Sequence, residues 1–195
     1  MSKLPVEILL KYISVKKNGR TVDRVGNDHL TVTLIQPNAD EPEKTGKKTF
    51  KLADDASINF SNSYYDDCLL LKANLQGRVP VIIVLTDVWK ETVLEKIVKK
   101  IVEKSFNTVL SSIDNPLPEI VKSVLLAENT SGYVHVIGFA SAILDPSEIE
   151  KKRSIELTLE LIVPLAVQID AFVDNPEIIG PGPNGKLTIE VRSLS

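Results

Sequence analysis

The run VIIVLTDVWKETVLEKIVKKIVEK places Asp87 where an apolar strand turns into a helical pattern, and a carboxylate at such a corner is a recurrent catalytic position in α/β folds. Three other stretches hold residues capable of chemistry. NSYYDDC, residues 62–68, combines two tyrosines, the adjacent carboxylates Asp66 and Asp67, and the one cysteine, Cys68. GPGPNGKL, residues 180–187, has the G-x-x-x-x-G-K spacing of a phosphate-binding loop. His135 lies in YVHVIG, far in sequence from His29.

Each has a structural reading that weighs more than the chemical one. Asp87 and Thr86 are good N-cap residues, with Glu91 placed to complement the helix dipole, so Asp87 is expected to cap a helix rather than to catalyse. The phosphate-loop spacing ends in Leu187 instead of Ser or Thr and leads into the strand-like LTIEVRSLS, where the chemistry needs a helix N-terminus; a hairpin loop is expected. Asp66 and Asp67 point apart if extended and share no proton, so NSYYDDC reads as a polar turn before a strand opened by a buried Cys68. His135 alternates with Val134 and Val136, which makes it a surface or interface histidine. No catalytic residue is assigned on these grounds.

The elements that must position these residues are legible from periodicity. Period-two alternation puts Leu30, Val32 and Leu34 on one face, as it does Ala56, Ile58 and Phe60, then Leu69, Leu71, Ala73 and Leu75. It returns in Ile155, Leu157, Leu159 and Leu161, and in Leu187, Ile189 and Val191. Gly and Pro clusters separate these runs. One block differs: from Val93 to Ile113 the apolar residues follow an i, i+4 stripe, with Lys96, Lys99, Lys100, Lys104 and glutamates opposite, giving a helix of about 24 residues. Asn115 and Pro116 then open a shorter helix with Leu117, Ile120, Val121, Val124 and Leu125 on one face. Strand candidates precede and follow this pair, so the order is not that of a doubly wound fold. The expectation is a mainly β (α+β) chain: an antiparallel two-sheet β-sandwich with one inserted helical hairpin. Residues 1–195 read as a single domain, with strands at about 5–86 and 133–193 and the hairpin at about 88–127.

Composition bounds the function. The 195 residues carry a net charge of −3, which gives no general attraction to phosphate backbones, so nucleic acid is not an expected partner. One cysteine forbids an intrachain disulfide and a multi-thiolate zinc site, and with two separated histidines no metal and no cofactor is expected. No apolar run is long enough to cross a bilayer as a helix, and the N-terminus lacks the pattern of a secretory signal, so a cytoplasmic location is expected.

The succession VEILLKYISVKK, GNDHLTVTLI, KKTFKL, ASINFSNSYYDD, VPVIIVLTDVW and VIGFASAILDPSEIE resembles a C2 domain of the phospholipid-binding type, over Val6 to about Glu150. In that family aspartates stand at the positions of Asp28 and Asp87. The resemblance implies Asp23, Asp28 and Asp87 as ligands if calcium binds; this chain lacks the family's Asp-x-Asp at residues 87–89 and its Asp-Pro-Tyr at residues 28–30.

Two functions from different classes follow. The first is a non-catalytic interaction module that binds a protein partner or forms a homo-oligomer, with a membrane surface as a further partner. Its interface would include Val102, Phe106 and Leu110, because a helix of about 24 residues overhangs strands of ordinary length. The alternative is a hydrolase using Asp66, Asp67 and Asp87 in a cleft between sheet and helices.

Overall fold

A computed structural model describes residues 3–17, 28–36, 43–88, 99–100, 103–104, 119–120, 123–124, 134–163, 167–169, 177–179 and 182–195. Of residues 87–88, 134–135, 167–169 and 177–179, only the backbone is described. Strands dominate: β1 (Leu4–Val15), β2 (Asp28–Ile35), β3 (Glu43–Phe50), β4 (Ser57–Asn59), β5 (Leu69–Leu75), β6 (Val79–Val88), β7 (Val134–Leu144), β8 (Ser154–Val163), β9 (Val167–Ile169), β10 (Glu177–Ile179) and β11 (Gly182–Ser193). Two short helices accompany them, α1 (Tyr65–Cys68) and α2 (Pro146–Lys152).

The pairing is antiparallel and runs β3-β2-β6-β7-β8-β11-β1-β4, with β5 beside β4 on the same edge of β1 and β9 paired with β10 apart from the rest. β7 and β8 share a single bridge, Phe139 to Ile162, whereas β8 and β11 pair from Ser154 to Val163. The path therefore folds over at that bridge into two layers, β3-β2-β6-β7 and β8-β11-β1 with β4 and β5. Between them lies the core expected from the alternation: Leu30, Val32, Leu34, Ile83 and Leu85 from one layer, Ile8, Leu10, Leu187, Ile189 and Val191 from the other, all at 0% exposure. The two sheets foreseen from the sequence are thus one hydrogen-bonded path joined at a corner.

The opposite seam is closed without a ladder. β3 lies along β5, and a Cβ placed on Gly46 would stand 2.1 Å from the Leu70 carbonyl oxygen. At the bridged seam, a Cβ on Gly138 would stand 2.9 Å from that of Leu161. Both layers approach closely enough only because these positions carry hydrogen in place of a side chain. The ends are tied by side-chain amides. The Asn184 amide donates to the carbonyls of Lys17 and Ile137 at 2.7 and 2.8 Å, joining β1, β11 and β7, and at the far end Gln36 accepts from the Gln76 N–H at 3.0 Å.

Several sequence expectations need correction. Asp87 is no helix cap: β6 continues through Val88, and Asp87 pairs with Asp28 on β2 and His135 on β7, so the backbone there is committed to ladders on both sides. The helical stretch accordingly starts later than residue 88. Residues 182–185 of GPGPNG form no hairpin loop, because they already belong to β11, with an irregularity between Pro183 and Gly185. DPSEIE, for which the sequence suggested no element, opens a helix. Asp145 accepts from the Ser147 N–H at 2.9 Å and Pro146 takes the first helical position, giving α2, whose Ile149 is fully buried.

The middle of the first layer is also buried on its outer side. Thr31, Val84 and Phe139 form one cross-strand row there at 1%, 1% and 4% exposure, which accounts for the unbroken apolar run of β6. Of the foreseen hairpin, residues 99–100, 103–104, 119–120 and 123–124 are helical. Ile120 and Val124 are buried outside the inter-layer core, Glu119 and Ser123 are exposed, and Lys104 Nζ donates to Ser123 Oγ at 3.2 Å, tying the two helical stretches together.

The glycine seams give a direct test. Gly46→Ala is expected to lower the unfolding free energy by about 1 to 3 kcal/mol or more, because a carbonyl oxygen on the backbone cannot swing aside. Gly138→Ala, which meets a side-chain carbon, is expected to cost less, as read from urea denaturation midpoints with unchanged slopes.

Candidate interaction face

The outer side of the second layer carries the chain's described polar organisation. Antiparallel register lines up Lys72, Glu7, Arg192 and Ser154 across β5, β1, β11 and β8, and directly opposed residues share a face of the sheet. Glu7 is 6% exposed, yet it is served from two sides: Tyr65 Oη of α1 donates to Oε2, and Arg192 Nη1 lies 4.0 Å from Oε1. Lys72 Nζ stands 5.4 Å from the centre of the Tyr65 ring.

Arg192 also grips Glu190 in a fork, Nε to Oε1 at 2.7 Å and Nη2 to Oε2 at 2.9 Å. Ser154 Oγ adds a bond to Oε1 at 2.8 Å and Lys11 Nζ lies 3.4 Å from Oε2. The Arg192 bonds, followed by the Ser154 bond, take the Glu190 carboxyl from 4.5 to about 2 against the opposing effect of burial. A plate of side chains around Tyr65, Glu7, Arg192 and Glu190 is therefore held in one arrangement. Beside it Tyr64 is 84% exposed, the most exposed large apolar residue among those described.

Towards the other end of the same face, Ser57, Ser14, Lys186 and Glu160 form a second row across β4, β1, β11 and β8. With Tyr12 and Asp55 they line a shallow depression of about 280 Å³. Hydrogen bonds to Ser14 and then Ser57 hold the Tyr12 phenol below its usual range. The depression balances two acids, Asp55 and Glu160, against Lys16 and Lys186, so it presents no net charge to a ligand.

The residues singled out from the sequence lie elsewhere or serve structure. Asp28 is fully buried and its Oδ2 accepts from the Leu52 N–H at 2.8 Å, holding the chain after β3 against the start of β2. Asp87 joins it at a paired register position, and Asp23 lies outside the described residues. Among the described residues no three His, Cys, Asp or Glu side chains converge as metal ligands. Asp66 and Asp67 are exposed on α1 beside β1 of the second layer, whereas Asp87 is a strand residue of the first, so the hydrolase constellation is not assembled. Cys68 is buried and its Sγ donates to the Phe60 carbonyl at 3.2 Å, as a small core residue would. Val102, Phe106 and Leu110 lie outside the described residues, and no helix among the described residues is long and apolar enough to cross a membrane.

Sequence reasoning missed the plate around Arg192. Its members are separated by up to the length of the chain, and the one local signal, Glu190 two residues before Arg192 on a strand, is too common to stand out.

A scan against models of known protein families finds no match, nor does a search of curated proteins. Among solved structures the chain is similar to a C2 domain, the one lettered A, of plant extended synaptotagmin 1, over 100% of this chain and 99% of that one, at 11% identity and a TM-score of 0.40. This is the family the strand order resembles; the architecture above stands on the chain's own register.

Two measurements test this geometry. Folding depresses the Glu190 pKa, so its stabilisation is present above about pH 4.5 and is lost as pH falls towards about 2. The shift corresponds to at most about 3 kcal/mol; water reaching Arg192, whose side chain is 42% exposed, leaves about 1 kcal/mol of that. Glu190→Gln is expected to flatten the stability profile across that interval in acid-dependent denaturation. Asp28→Ala removes the buried carboxylate that accepts from the Leu52 N–H and is expected to cost about 1 to 3 kcal/mol, whereas Asp28→Asn, which keeps an acceptor, is expected to cost less in the same denaturation assay.

Proposed function

We propose that the chain is a non-catalytic interaction module that presents the outer face of its second layer to a protein partner. The observation that carries this reading is the pre-ordered plate of Tyr65, Glu7, Arg192 and Glu190 with Tyr64 standing free beside it. Tyrosine and arginine dominate the energetic centres of protein interfaces, and side chains already fixed by one another lose less freedom on binding. A face with acids and bases paired in this way favours a folded or peptide partner over a strongly charged polymer or an anionic membrane. The membrane reading finds less support: the exposed Lys99, Lys100 and Lys104 are interleaved with Glu103. Self-association through Val102, Phe106 and Leu110 is the second form of this module, motivated by the apolar stripe of the longer helix.

Affinity purification with cross-linking, comparing the wild type with Tyr64→Ala, tests the reading. Tyr64 has too little buried surface for its loss to unfold the chain, so equal melting temperatures are expected. A protein cross-linked to the wild type at this face and lost in the variant supports the proposal. Equal capture by both sinks it, and a wild type whose light-scattering mass rises with concentration and falls on Phe106→Glu shifts the function to self-association.

A further inference from the structure

β8 has one flank that is paired throughout and one that, among the described residues, is paired at a single position. On the β11 side it is paired from Ser154 to Val163, but on the β7 side its ladder consists of the single bridge at Ile162. From Ser154 to Glu160 the backbone therefore has no strand on that side among the described residues, and no further backbone bond from these residues is found there. Unpaired backbone groups on a regular strand are a template for another strand.

The side chains along this flank define what would fit it. Facing the core, Ile155, Leu157 and Leu159 pack on it and yet stay only half-buried, unlike Leu161 at 0% exposure beside Gly138. Facing outwards, Glu156, Thr158 and Glu160 are exposed, and the two glutamates make no ion pair among the described residues, even though Lys186 is opposed to Glu160. The flank thus offers alternating apolar and acidic positions over one strand length.

We infer that the open flank of β8 receives an extended segment of a protein partner that alternates basic with aliphatic residues, its aliphatic side chains completing the row of Ile155, Leu157 and Leu159 and its basic ones meeting Glu156 and Glu160. This rests on the reading of the chain as a protein-binding module and gives the partner's chemistry. A second copy of β8 is disfavoured in the register centred on the middle of the flank. Antiparallel pairing about Thr158 sets Glu156 of each copy against Glu160 of the other, and directly opposed like charges are unfavourable.

The test uses the full chain with a short fluorescent peptide alternating lysine and valine, against a peptide alternating glutamate and valine. The lysine peptide is expected to bind, more weakly as salt rises, and to protect backbone amides between Ser154 and Glu160 from hydrogen exchange. The double variant Glu156→Lys/Glu160→Lys, altered only at exposed positions, is expected to keep its melting temperature and to lose at least about tenfold in affinity. No binding, binding without protection in β8, unchanged affinity in the double variant, or equal binding of the glutamate peptide overturns the inference. Protection of β8 that appears with protein concentration alone assigns the flank to a second copy and overturns it too. If the peptide fails while Tyr64-dependent capture survives, the partner's place on β8 falls and the module reading stands.

Discussion

The fold depends on bringing two layers of one hydrogen-bonded path into contact along both long sides. At one side the ladder itself turns the corner through the bridge of Phe139 with Ile162; at the other, β3 rests on β5 with no ladder between them. Each contact brings one strand closer to the other than an added Cβ permits, Gly46 against the Leu70 backbone carbonyl and Gly138 against the Leu161 Cβ. Once both seams are shut, the fully buried rows of β2, β6, β1 and β11 have each other as surroundings, and a stabilisation of roughly 1.5 to 3 kcal/mol per large aliphatic side chain follows.

The same closure apportions the surface. The middle of the first layer is covered on both sides, so Thr31, Val84 and Phe139 are hidden and no binding face remains on that row. The second layer keeps its outer side in water. There polar side chains are tolerated, and they have been organised by register: rows of opposed residues from four strands place Glu7, Arg192, Glu190 and Ser154 within reach of one another although they come from both ends of the chain. A paired carboxylate and guanidinium on neighbouring positions of a sheet hold each other more firmly than either would be held on a loop, because the strands beneath them do not move independently. The splaying of β7 from β8 beyond their one bridge comes with turning the corner, and it also leaves that flank of β8 without a ladder among the described residues.

Read by itself, the sequence determined the strand faces. The alternation of Leu30, Val32 and Leu34, or of Leu187, Ile189 and Val191, is a local property with a period of two, and burial of one face follows wherever the strands assemble. It determined equally that Cys68 is a core residue and that the stretch with Ile120 and Val124 is helical with those two residues inward. Tertiary structure alone decided the rest. Whether Asp87 ends a strand or caps a helix depends on whether β2 and β7 flank it, and capping residues and strand residues are compatible with the same local sequence. The close approaches at Gly46 and Gly138, the fork of Arg192 on Glu190 beneath Ser154, and the single bridge between β7 and β8 are relations that only the assembled layers bring about. Periodicity carries which way a side chain faces; only register and layer packing carry what it meets there.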